Sequence, residues 1–266
     1  RMEVSMSINY NIKADQILGI LGYNQPAGEG FLNGFERENN VKLPLCLRNF
    51  YKVAYKCPLL STADIWTDDM FFYYKQIKEE IEDFKKDYWD DPEADDEDIE
   101  RTSFWKFLYE IPEEQWPEHV ADYLEIGSDY GAGVVRYGIC ADDLDKDDPP
   151  VYKIFEDDEL TEWKLLCNSL SEYLFMVICD VLLCTDYDTA GYILQENDWN
   201  YNLCSYDEIE EAAELTGIDI STMKSQENFS RGKVTCGYDE ERKMLIVAGI
   251  YEGDKYPFVV CNISKN

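Results

Sequence analysis

The sequence predicts an α+β fold: a mixed or antiparallel sheet covered by helices, with a further α+β extension at the C-terminal end. Three observations predict it. The stretch 133–183 reads as a strand over 134–139, an acidic loop, a second strand around 151–155, an acidic turn with Trp163, and then a helix. The run 123–139 reads as strand, glycine-containing turn and strand, a hairpin that leads into the same unit. Near the C-terminus, 229–236, 244–251 and 256–263 read as three strands joined by the polar turns at 239–242 and 253–254.

The helix of the first stretch has a marked start, because Ser169 and Glu172 stand at capping-box spacing. Behind that cap Leu170, Leu174, Val177, Ile178 and Val181 fall on one helical face. Two neighbouring strands with this helix packed across one face is the most economical arrangement.

Ahead of this unit the chain reads as mostly helical. Asn11 is placed to cap a short helix running to Tyr23, with Ile17, Leu18 and Leu21 inward and Gly22 near its end. The run 26–30 is a turn or lead-in to a second helix carrying Phe31, Leu32 and Phe35. Pro44 opens a third helix, made amphipathic by Leu47, Phe50, Tyr51 and Ala54 and stopped at Cys57-Pro58. Residues 59–66 read as a loop or short strand that brings Trp66 to the core. From Asp68 the spacing of Met70, Tyr74, Ile77, Ile81, Phe84 and Tyr88 predicts a fourth helix packed on the domain body.

That helix runs into an acid-dense segment. Between Glu79 and Glu100 thirteen acids face only Lys85 and Lys86, a local charge of −11, so the acidic insertion at about 87–100 should hold a solvated loop around Asp90 to Asp98. Phe104, Trp105, Phe107 and Leu108 return the chain to the core. Residues 185–205 are polar and aromatic without a clear period, and a helix then runs from Tyr206 to Thr216, ending at Gly217. The organisation expected is one domain over 1–184 and a helix-plus-three-strand extension over 185–266. Whether those strands join the main sheet is left open by the sequence.

Composition bounds the function. With 266 residues, 45% hydrophobic, the chain can bury a substantial core, and 14% aromatics favour ordered packing. The net charge of −32 argues against nucleic acid, whose phosphates need a basic footprint, and against an anionic membrane surface. Nine cysteines, an odd number without a CxxC pair, read as small buried hydrophobes in a reducing compartment. No basic-then-apolar leader and no apolar run of membrane-spanning length is visible, so the expected location is the cytoplasm.

Several motifs point to a family. Phe35-Glu36, then Leu43-Pro44 leading into Leu47-Arg48-Asn49-Phe50-Tyr51, resembles the N-terminal signature of the SUKH superfamily, the yeast cell-wall-synthesis regulator type and its bacterial relatives. Leu124-Glu125-Ile126 with the run 133–139 resembles the family's paired strands. Residues 148–152 resemble its next strand, and 169–174 the start of its closing helix. The resemblance covers roughly 30–184. It implies an α+β fold and, among bacterial relatives, immunity proteins that neutralise a toxin made by the same cell. It implies no shared catalytic set.

The residues themselves offer no competing chemistry. The single histidine, His119, lies in a Pro-flanked, Glu-rich stretch, and no serine or cysteine sits in a nucleophile motif, so no catalytic residue is assigned and the protein is not expected to be an enzyme. The alternating acids from Asp143 resemble the opening of a calcium loop. Asp148 stands where that loop needs Gly, however, and Ile154 where it needs the bidentate Glu. Neither a metal nor a cofactor is expected, and Gly131-Ala132-Gly133 is a turn with no dinucleotide fingerprint.

Protein binding remains. The acidic loop with Asp142, Asp143, Asp145, Asp147 and Asp148 and the turn with Glu156, Asp157, Asp158 and Glu159 flank one strand and are the candidate contact residues. They suit a partner rich in Lys and Arg, such as a nuclease toxin whose own site must grip phosphates. The alternative is a scaffold or regulatory interaction module of the cell-wall-regulator type.

Overall fold

A computed structural model describes residues 8–60, 70–91, 99–100, 102–129, 135–155, 162–183, 189–225, 231–251 and 258–265. Three helices come first: α1 (Ala14–Ile20), α2 (Ala27–Asn39) and α3 (Leu45–Ala54). Asn11 does not cap α1. Its own N–H goes to the Asn9 side chain, and the helix starts later, where Gln16 Oε1 accepts from the N–H of Lys13 at 2.9 Å. Pro44 sits immediately before α3, as its missing N–H and fixed φ favour.

A two-residue strand β1 (Phe71–Phe72) leads into α4 (Tyr73–Phe84). Because β1 pairs with the next strand, the helix begins after Met70, and its buried stripe is Tyr73, Ile77 and Ile81. One wide turn, Lys85–Trp89, extends α4, and α5 (Ser103–Glu110) follows. Trp105 and Leu108 of α5 reach the core, while Phe107 stays 39% exposed. Trp66 and residues 92–98 of the acidic insertion lie outside the described residues.

The first sheet is antiparallel, in the order β1, β2 (Tyr123–Asp129), β3 (Val135–Cys140), β4 (Val151–Phe155), β5 (Lys164–Cys167). Strand β5 occupies what reads in the sequence as turn and cap. One face of the sheet, with Leu124, Ile126, Ile139 and Val151, enters the main core. On the other face Tyr123 and Tyr152 meet α4, α5, Trp116 and Trp163 in a second, aromatic cluster. Trp163 lies stacked on Tyr123 with ring centres 4.2 Å apart. The space for it comes from Gly138, where a Cβ would fall 2.9 Å from the indole.

Helix α6 (Leu170–Leu183) is the centre of the molecule. The sequence places one apolar face on it, yet ten of its fourteen residues are buried and Val177 is only partly so. Such a helix needs cover on all sides. It contacts α1, α3 and β5 on one side. On the other it meets a second antiparallel sheet, in the order β6 (Trp199–Tyr206), β10 (Phe258–Lys265), β9 (Met244–Tyr251), β8 (Arg231–Asp239), β7 (Lys224–Ser225).

The C-terminal strands therefore do not extend the first sheet. They form their own, completed by β6 from the stretch that shows no clear period, which also contains α7 (Thr189–Glu196). The outer face of this sheet is covered by α8 (Ile209–Thr216), which ends at Gly217 with φ 75°. Residues near the N-terminus also clip onto it, since Asn9 and Tyr238 exchange backbone hydrogen bonds at 2.9 and 3.0 Å. Trp199 Nε1 donates to the Leu21 carbonyl and Tyr201 to the Leu182 carbonyl, tying the two halves.

Close approach of α2 and α3 depends on Gly28, whose added Cβ would sit 2.5 Å from the Tyr51 carbonyl oxygen. Gly28→Ala is expected to lower stability by about 1–3 kcal/mol. A urea titration should show the midpoint falling with an unchanged slope.

Candidate functional site

The loop between β3 and β4 carries five of the nine candidate residues, and its course follows from what anchors it. Leu144 and Pro149 are buried, pinning the loop at two points. Between them Asp145, Lys146, Asp147 and Asp148 are exposed. Asp143 turns back to Lys146 at 2.6 Å. The carbonyl of Asp147 accepts from the N–H of Cys46, the second residue of α3, at 3.0 Å. Asp148 takes both the N–H and the hydroxyl of Ser171, at 2.7 and 2.6 Å.

Ser171 is the second residue of α6, so Asp148 acts as a cap delivered from 23 positions away. Ser169 accepts from the N–H of Glu172 at 3.3 Å, the half of the expected capping box that forms. The carboxylates of Asp143 and Asp148 thus point to different partners and do not converge as a calcium loop requires. Among the described residues no group of three acids, thiols or imidazoles is placed to hold a metal ion.

The loop lies beside Leu45, which projects 52% exposed at the start of α3. A cleft of about 210 Å³ opens on one side of Leu45, between Asp15, Asn49, Asp147 and Ser171. Another of about 160 Å³ opens on the other side, between Lys42, Arg48, Asp145 and Lys146. The structure therefore brings Asp145 and Asp147 together with an apolar knob and two small clefts of mixed lining. Glu156, Asp157, Asp158 and Glu159 lie outside the described residues.

Local sequence reasoning missed a buried ionic cluster under α4. Glu125 on β2 is fully buried, its Oε2 3.4 Å from Arg136 on β3, and Arg136 also lies 3.8 Å from Glu80 of α4. Gln76 donates to Glu80 at 2.6 Å. Burial drives the Glu125 carboxyl up to about 7, with Arg136 opposing and Glu80 and Asp122 adding to the rise. Asp122 is pushed up to about 6 by burial, against the N–H groups of Tyr74 and Tyr123, each 3.0 Å from its Oδ1.

The thiols are passive by comparison. Five of the eight described cysteines are buried, and burial lifts Cys57 to about 11 and Cys167 to about 12, away from a reactive thiolate. His119 is exposed, with its ring edge-on to Phe107 at 4.8 Å.

The motif residues near the N-terminus form one joint. Glu36 of α2 accepts from the N–H of Leu43 at 2.8 Å and from Arg48 of α3 at 2.6 Å, while Arg48 also donates to Asn33 at 3.0 Å. This joint fixes the angle between α2 and α3 just ahead of Leu45. The family model of the SMI1 / KNR4 family (SUKH-1) matches residues 26–176, more than half of the chain, from the start of α2 into α6. The chain belongs to the SMI1/KNR4 family (SUKH-1).

Members of the SMI1/KNR4 family are generally non-enzymatic, and at family level the role is protein interaction or immunity. No curated protein and no solved structure matches the chain. The matched span contains the Glu36–Arg48 joint, the Asp142–Asp148 loop and the buried Glu125 cluster, and it stops short of the second sheet. No helix among the described residues is long and apolar enough to cross a membrane.

Two outcomes follow from this geometry. Asp148→Ala should cost about 1–2 kcal/mol of folding stability by uncapping α6, with Asp148→Asn recovering part of it. Chemical denaturation at neutral pH measures both. For Glu125 the folded value exceeds the unfolded one, so the native state holds the extra proton between about pH 4.5 and 7 and loses stability as pH rises through that window. Glu125→Gln should flatten that part of the curve, shrinking the stability difference between pH 5 and pH 8 by on the order of 2–3 kcal/mol, read from denaturation midpoints at the two pH values.

Proposed function

We propose that this SMI1/KNR4-family protein is an immunity protein of the cytoplasm that binds a basic protein toxin and blocks it by occlusion, performing no chemistry of its own. The observation that carries the reading is the charge, 56 acids against 24 Lys and Arg, on a family framework of protein-binding type. A toxin that handles nucleic acid needs a cationic working surface, and an acidic inhibitor matches that surface in charge.

Leu45 with Asp145 and Asp147 supplies one contact: an apolar knob with carboxylates at its edges, backed by the rigid Glu36–Arg48 joint. Asp142 is exposed on the same loop and extends its charge. Asp143 and Asp148 contribute field while their oxygens stay engaged with Lys146 and Ser171. The turn Glu156 to Glu159 is proposed as part of the same acidic surface.

Co-expression with a basic toxin encoded beside this chain tests the reading. Protection of growth and a complex whose association rate falls steeply with salt are the expected result. Leu45→Glu, or Asp145→Lys with Asp147→Lys, should weaken that complex at least tenfold without unfolding the protein. No complex and no protection, with several endogenous partners recovered instead, would favour a regulatory scaffold.

A further inference from the structure

Resting on the reading above, we propose that the face formed by the wide turn Lys85–Trp89 and by α5 is a second docking surface, one that takes an arginine-rich segment of the partner protein. The turn is built on an N–H to carbonyl bond from Asp90 to Lys85 at 2.8 Å, five residues apart, where an α-helix would use four. The extra residue per turn swings Trp89 back over α5. There its Nε1 donates to the buried Thr102 hydroxyl at 2.9 Å, which fixes the indole.

Tyr109 of α5 then lies against Trp89, ring centres 5.8 Å apart and planes inclined by 48°. Tyr109 remains 47% exposed, far more than a tyrosine that serves only to fill a core. The end of α4 and the turn that carries Trp89 are acidic, with exposed Glu82, Asp83, Asp87, Asp90 and Asp91 against exposed Lys86 and half-buried Lys85, whose ammonium lies in the field of Asp90, Tyr109 and Glu82. Lys85 is turned onto Asp90, and Lys86 reaches Asp87 only at 3.8 Å. Both pairs are solvent-exposed and therefore weak enough for an incoming cation to replace.

An aromatic face with carboxylates around it selects for one side chain above others. A guanidinium stacks flat on a ring while its edge donates to carboxylates; an ammonium does this less well because it is compact and strongly hydrated. An acidic or apolar partner segment would meet the same carboxylates as repulsion or as a desolvation cost. The surface thus discriminates within the class of basic partners, which charge alone does not.

The test is calorimetric titration of the full chain with nona-arginine and nona-lysine peptides at about 0.15 M salt. The arginine peptide should bind more tightly. Tyr109→Ser should weaken it about two- to fivefold while Tyr109→Phe, which keeps the ring, does not. Tyr192→Ser, removing an exposed tyrosine on α7, should change nothing. Ring resonances of Tyr109 should shift with the arginine peptide. Arginine binding that is indifferent to Tyr109→Ser overturns this surface and leaves the basic-partner reading intact. Binding of neither peptide overturns both, and self-association through Tyr109, seen by sedimentation, assigns the face to a second copy and overturns the proposal.

Discussion

Everything in this fold answers to the burial of one helix. Helix α6 offers Leu170, Leu174, Ile178 and Leu182 together with Tyr173, Phe175, Cys179 and Leu183, which leaves no wide polar side to turn toward water. One sheet cannot cover such a cylinder. The N-terminal helices and the first sheet take part of it, and the second sheet takes the rest through Val234, Cys236, Val247, Val259 and Cys261. The hydrophobic gain is proportional to area removed from water, so the two halves are held to each other by the helix they share.

The ends of the helices show a second regularity. The second residue of α3, of α4 and of α6 each gives its N–H to the connections around the first sheet: Cys46 to the Asp147 carbonyl, Tyr74 to Asp122 and Ser171 to Asp148. Helix N-termini carry unsatisfied donors and partial positive charge, and negative groups are favourable beside them. Part of the acidity of this chain is therefore architectural. Asp122 and Asp148 belong to the fold as much as to any partner, whereas Asp145 and Asp87 cap no helix among the described residues.

Much of this was legible in the sequence. The Pro44 helix start, the hairpin over β2 and β3, strand β4, the Ser169 cap and the three C-terminal strands all follow from local propensity and period, and the family from the order of its motifs. What was not legible was set at long range. Strand β6 does alternate, with Trp199, Tyr201 and Leu203 on the core side and Asn200 and Asn202 between them, but aromatic and polar neighbours mask the period. Strand β5 is only four residues long and abuts a helix cap. Glu125 alternates with core residues and so reads as solvent-facing; only the arrival of α4 over that face buries it. In the candidate loop, spacing located the acids but not the groups they bind, because Ser171 and Cys46 approach through tertiary packing.

The shared helix has an evolutionary corollary. The family model runs out at Met176, half-way along α6, while the oily flank of that helix is roofed by strands that come later in the chain. A graft that moved only the matched body into another protein would carry a bare greasy flank, prone to clumping. The last third of this chain is in that sense an obligate companion to the rest, and the pair must be inherited together.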